Sequence, residues 1–124
     1  MLRLELDRDP SGVAVVRRSA VAHVRSNLTG MAGLEDLLDD VALVTSELVT
    51  NAVVHGEPPI TVEIDVARTG AAGVVTITCH DLGPWDGSDP DPWRGRGLQL
   101  VRSLATVVID ADERGSTVRA ALSR

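Results

Sequence analysis

Apolar and polar positions alternate through "LRLEL", so Leu2 to Leu6 predicts a short strand. "DRDPSG" ends that pattern. From Ser11, the expected N-cap, Val13, Val16, Ala20, Val21, Val24 and Leu28 recur at helical spacing, and this first helix closes near "LTGMAG". A second helix is predicted from about Leu34 to His55, with Leu34, Leu37, Leu38, Val41, Val44, Leu48 and Ala52 as its buried stripe. Glu35, Asp36, Asp39 and Asp40 come early in it, where the positive end of the helix dipole favours acids. "GEPP" stops it.

"ITVEIDVAR" and "GVVTITCHD" are strand patterns joined by a turn near "TGAAG", an antiparallel hairpin. "LGPWDGSDPDPWRGRG" has no period and is rich in Pro, Gly and Asp, so it predicts a loop. A third helix opens near Gly97 in "GLQLVRSLA", and "TVVIDADERGSTVRAAL" closes with a second hairpin turning at "DERG". Antiparallel runs with helices on one face predict an α+β fold, in a single domain spanning residues 1–124.

Composition narrows the chemistry. Hydrophobic residues make up 44% and aromatics 2%, so the core is one of Val, Leu, Ala and Ile. The net charge of −6 argues against direct nucleic-acid binding as the main task. All 12 basic residues are Arg. The single cysteine, Cys79, excludes an internal disulfide and points to a reducing compartment. No run of about 18 apolar residues is present, and "MLRLELDRDP" lacks a signal-peptide core, so the expectation is a cytoplasmic protein without membrane attachment.

Three groups of residues carry candidate chemistry. In "TSELVTNAVVHGE", Glu47, Asn51 and His55 are spaced four apart, which stacks them on one helix side about 5–6 Å apart at Cβ. Asn disfavours helix interiors, and no Lys or Arg lies between Arg25 and Arg68 to pair with Glu47. Oxygen ligands without a nearby cation suit a hard ion such as Mg²⁺, with a carboxylate at hand as general base. Spacing alone also fits a solvated polar stripe, and His55 alone fits a helix-end cation.

In "HDLG", Asp81 ends a strand before Gly83. A carboxylate there accepts hydrogen bonds from an exocyclic amine, although in isolation the motif reads as a strand-ending turn. In "RGRGLQLV", glycines precede a helix start, where free N–H groups and the dipole favour phosphate, with Arg94 and Arg96 flanking. It is neither a dinucleotide-binding fingerprint nor a phosphate-binding loop with lysine, since a Pro-rich loop precedes it and no Lys exists.

The order of these pieces resembles the GHKL (Bergerat-fold) ATPases, and among them the small anti-sigma factor serine/threonine kinases, over residues 10–122. "SELVTNAVVHG" is similar to the family's N-box, "DLG" to the start of its adenine box, "GRGLQLV" to its phosphate box and "GSTV" to its last box. The resemblance implies a two-layer α/β sandwich with a mixed, mostly antiparallel sheet and helices on one face. It implies ATP and Mg²⁺ as cofactors. Glu47 would be the catalytic base and Asn51 the Mg²⁺ ligand. Asp81 would bond the adenine amine, and Gly83 would make room for the ring. Gly95 and Gly97, followed by Leu98, would receive the phosphates beside Arg94. Thr117 would support the adenine, and residues 84–96 would form a lid.

Expected partners are a sigma factor and an anti-anti-sigma antagonist with a STAS domain, and the resemblance suggests a homodimer. The usual Asp-x-Gly-x-Gly is here Asp81-Leu82-Gly83-Pro84-Trp85. That departure keeps open a second reading, a sigma-binding module of the same fold with weak or no nucleotide binding. A histidine kinase is disfavoured, because the 124 residues show no dimerisation helix pair carrying a phosphoacceptor His.

Overall fold

The computed structural model describes residues 1–83 and 96–124, with backbone only at 96–98. Its elements follow the expected order: β1 (Leu2–Leu6), α1 (Ser11–Asn27), α2 (Leu34–His55), β2 (Ile60–Thr69), β3 (Ala72–Asp81), α3 (Arg96–Leu104), β4 (Thr106–Asp112) and β5 (Gly115–Ser123). The strands form one five-stranded sheet in the order β1-β2-β3-β5-β4. All four pairings are antiparallel, so a sheet expected to be mixed and mostly antiparallel is antiparallel throughout its described strands.

Register explains the two faces. Leu4, Val62, Cys79, Val118 and Ile109 stand side by side across the sheet, and so do Leu2, Ile64, Ile77, Ala120 and Val107. These rows point to the helices and line one core with Val16, Ala20 and Val24 of α1. The alternate rows carry Arg3, Glu63, Thr78, Arg119 and Val108, then Glu5, Thr61, His80, Thr117 and Asp110. A period of two thus separates an aliphatic face from a polar one.

Helix α2 is buried more widely than a single stripe. Thr45, Val49 and Val53 are buried along with the expected Leu37, Leu38, Val41, Val44, Leu48 and Ala52. The reason is position, because α2 packs against α1, α3 and the sheet together. Ser11 is the first helical residue of α1 and not its N-cap. The Asp9 carboxylate accepts the Ser11 N–H at 3.0 Å, and that bond holds the Asp9 carboxyl below its ordinary value. Among the described residues, no helix is long and apolar enough to cross a membrane.

Candidate nucleotide site

The site is built where α2 ends against the last residue of β3. Asp81 shares its sheet face with Val75, Ile77 and Cys79, so strand alternation turns its carboxylate inward. It is only 4% exposed. A buried carboxylate is costly unless it is hydrogen-bonded, and this one is. Oδ1 accepts the Gly83 N–H at 2.7 Å and the Glu57 N–H at 3.3 Å. Oδ2 accepts the Ser116 hydroxyl at 2.9 Å. An ionised carboxylate has about four acceptor positions, so one on Oδ2 is left for an incoming donor.

Three glycines close around Asp81, two on its carboxylate and one on its backbone. A Cβ on Gly56 would lie 2.4 Å from Asp81 Cγ, and one on Gly83 would lie 2.8 Å from Asp81 Oδ1. One on Gly115 would lie 2.4 Å from the Asp81 carbonyl oxygen, and Gly115 also has φ +155°, a conformation side chains rarely adopt. Gly56 was expected as a helix-terminating glycine, but its φ of −91° is open to any residue. Its lack of a side chain answers to Asp81 instead. The Arg8 guanidinium donates to the Gly56 carbonyl, placing a cation at the negative end of α2. The Leu82 N–H donates to the Glu57 carbonyl at 3.0 Å, which locks the two segments together.

Glu47 and Asn51 are half-buried on the same side of α2, and His55 is exposed in its last turn. At about 1.5 Å rise per residue, Asn51 lies roughly 7 Å and Glu47 roughly 13 Å back along the helix from Gly56. A ligand with its amine on Asp81 and its chain running up α2 therefore meets Asn51 before Glu47. Among the described residues no cluster of three or more His, Cys, Asp or Glu is placed to hold a metal ion. Asn51 alone fits an ion that keeps waters and takes its other ligands from phosphates, as Mg²⁺ does.

One expected site residue stands apart from Asp81. Thr117 lies on the opposite face of the sheet, where its hydroxyl meets His80 Nδ1 at 2.7 Å. The hydroxyl that meets Asp81 belongs to Ser116, which pairs with Asp81 in the β3–β5 register. Gly56, Gly115 and Ser116 were missed. Strand parity carried the signal, because Ser116 shares the face of Val118, Ala120 and Leu122, whereas Thr117 does not. Gly97 and Leu98 fall in the first residues of α3, which begins at Arg96. Arg94, Gly95 and most of the expected lid, residues 84–95, lie outside the described residues.

A sheet with helices on one face, a buried carboxylate cradled by glycines and a polar helix beside it define an ATPase-type nucleotide domain of the GHKL class. The family model for the histidine kinase-like ATPase domain matches residues 6–122, and the chain belongs to that family. The histidine kinase domain of the Erythrobacter litoralis EL346 blue-light activated histidine kinase is similar in structure, with a TM-score of 0.51 at 18% identity. That match covers 98% of this chain and 68% of the other. The Acinetobacter baumannii histidine kinase AdeS aligns at TM-score 0.49 and 16% identity, over 99% of this chain and 68% of that one. No curated protein matches the chain.

Proposed function

We propose that this domain binds Mg²⁺-ATP and acts as an anti-sigma factor with serine/threonine kinase activity toward a STAS-domain antagonist. The observation that carries the nucleotide part is the Asp81 cradle. Glycines at 56, 83 and 115 let the backbone close directly on Asp81, where side chains would clash, and the carboxylate keeps an acceptor position. Asp81 then selects adenine, since a carboxylate accepts from an amine and repels a carbonyl. ATP supplies the transferable phosphoryl group, and Asn51 is the side chain that would hold Mg²⁺. Glu47 takes the proton of the attacking serine hydroxyl.

A groove on the helix layer supports a protein partner. About 510 Å³ opens beside α1, with Val21, Ala22 and Ala42 in its lining and Arg17, Arg18 and Arg25 around them. Arg25 already bonds Glu35 at 2.6 Å, an exposed pair that a stronger acidic contact can displace. An acidic amphipathic helix of a sigma factor suits such a groove.

Two measurements test the reading. Calorimetry should show ATP binding well above GTP binding in the wild type, with the preference reduced in Asp81→Asn. Labelled phosphate should pass from ATP to a serine of the antagonist. Glu47→Gln should keep Mg²⁺-ATP binding and slow transfer by about 10²–10⁴-fold. Asn51→Ala should weaken Mg²⁺-dependent binding itself. No heat with ATP or ADP would leave the nucleotide-free sigma-binding module, the reading that Pro84-Trp85 in the adenine box keeps alive.

A further inference from the structure

We propose that Arg8 is a positioning residue for Asp81, acting through the single peptide group between Gly56 and Glu57. Arg8 lies in the β1–α1 loop, 48 residues from Gly56 in sequence, yet its guanidinium donates to the Gly56 carbonyl. On either side of it, Asp7 accepts the Asp9 N–H at 2.8 Å and Asp9 accepts the Ser11 N–H at 3.0 Å. Both carboxylates are thus turned into the loop backbone, and the guanidinium crosses to the end of α2.

The carbonyl it meets shares a planar trans peptide with the Glu57 N–H, which donates to Asp81 Oδ1 at 3.3 Å. In such a plane C=O and N–H point in opposite directions, so Arg8 and Asp81 hold the two ends of one group. The peptide dipole, about 3.5 D, turns its positive end to the carboxylate and its negative end to the guanidinium. Cation, dipole and anion stand in the favourable order, and hydrogen bonds linked in this way polarise and strengthen one another.

The neighbouring peptides are fixed by other means. The Ala52 carbonyl holds the Gly56 N–H at 2.9 Å, and the Leu82 N–H holds the Glu57 carbonyl at 3.0 Å. The plane between them is hinged on a glycine, because a Cβ on Gly56 would lie 2.4 Å from Asp81 Cγ. The residue that Asp81 requires to be glycine is therefore the one whose backbone resists rotation least, and Arg8 supplies the restraint. The Glu57 contact is also the longest of the three on the carboxylate, against 2.7 Å from Gly83 and 2.9 Å from Ser116. A long bond gains most from a polarised donor. Holding Oδ1 fixes the plane of the carboxylate, and with it the direction of the open acceptor position on Oδ2. The role rests on the nucleotide reading, in which the amine that meets Oδ2 is adenine's.

Two probes separate this role from a merely structural one. ATP carries the exocyclic amine, and purine ribonucleoside triphosphate lacks it. In calorimetry on the full chain, Arg8→Ala should weaken ATP binding by roughly five- to tenfold and leave binding of the amine-free triphosphate within about twofold. Arg8→Met, which keeps the stem without a donor, should behave as Arg8→Ala, and Arg8→Lys should recover part of the loss. In the Asp81→Asn background Arg8→Ala should add little further loss, because it acts through that carboxylate. In the ligand-free chain, NMR should show the Glu57 and Gly83 amide protons, both bonded to Oδ1, moving upfield in Arg8→Ala while the Ile64 and Ile77 amides stay in place. Equal losses for the two triphosphates, unchanged ATP binding, or a Gly83 amide that does not move overturns the assignment. A wild type that binds no adenine nucleotide sinks the nucleotide reading instead, and the amide protons then decide alone whether Arg8 holds Asp81.

Discussion

Cys79 offers a measurement of the inward face of β3 that needs no ligand. The thiol is 2% exposed in the centre of the sheet, two residues before Asp81 on the same face. Burial foremost, and then the negative charge of Asp81, push its pKa up to about 12. In the unfolded chain it ionises near its ordinary value of about 8.5–9. Between those values the folded state holds a proton that the unfolded state has released, so stability falls as pH rises. The slope approaches about 1.4 kcal/mol per pH unit. Relative to neutral pH, about 1.4 kcal/mol should be lost at pH 10 and about 2.7 kcal/mol at pH 11. Against a typical total of about 5–15 kcal/mol, that loss is large.

The chain makes this unusually clean to read. It has no tyrosine, and all 12 basic residues are arginines, so no phenol or lysine titrates in the window. Urea unfolding followed by circular dichroism at pH 8, 9, 10 and 11 should show the decline in the wild type. Cys79→Ala should start lower, by about 1 kcal/mol for the lost packing, and stay flat. Asp81→Asn should soften the decline without removing it, because burial is the larger cause. Equal declines in wild type and Cys79→Ala, or a flat wild type, would refute the buried placement of the thiol beside Asp81.

Three further outcomes follow from single contacts. Ser116→Ala removes the hydroxyl on Asp81 Oδ2 and should weaken ATP binding by roughly five- to tenfold in calorimetry, while Thr117→Val should leave it unchanged. Gly56→Ala should abolish ATP binding or lower Tm sharply in a thermal melt, since its Cβ would lie 2.4 Å from Asp81 Cγ. Thr45→Val should raise stability by about 1 kcal/mol in urea unfolding, because the Thr45 hydroxyl is fully buried without a hydrogen-bond partner among the described residues and Val keeps its shape.

The fold was largely legible because each element is announced by one period. Val16, Ala20 and Val24 keep helical spacing, and Ile60, Val62 and Ile64 keep a strict two, so element type and inward face follow from the same residues. What was harder is pairing, which sets which hydroxyl meets which carboxylate. Thr117 and Ser116 are adjacent in sequence, and the motif alone does not choose between them. The register Asp81 to Ser116 does, and it depends on where the β4–β5 hairpin turns and how β5 docks on β3.

The glycines show a second limit of reading by local rules. Gly56 was legible as the end of a helix, and that reading is locally sufficient. Its φ of −91° shows that the backbone does not require glycine there. The requirement comes from a strand 25 residues further on, through a carboxylate whose inward direction is set by Cys79, Ile77 and Val75. The same carboxylate excludes a side chain at Gly83, and its carbonyl excludes one at Gly115. Gly56 and Gly83 thus share one cause, a carboxylate held inside a mostly apolar core, and Gly115 answers to the backbone of the same residue. That group is also the largest departure from the pattern of β3, whose inward positions are otherwise apolar. An inward Asp at the end of an inward apolar row is the departure that singles out this corner of the fold, and the glycines mark where the backbone closes on it.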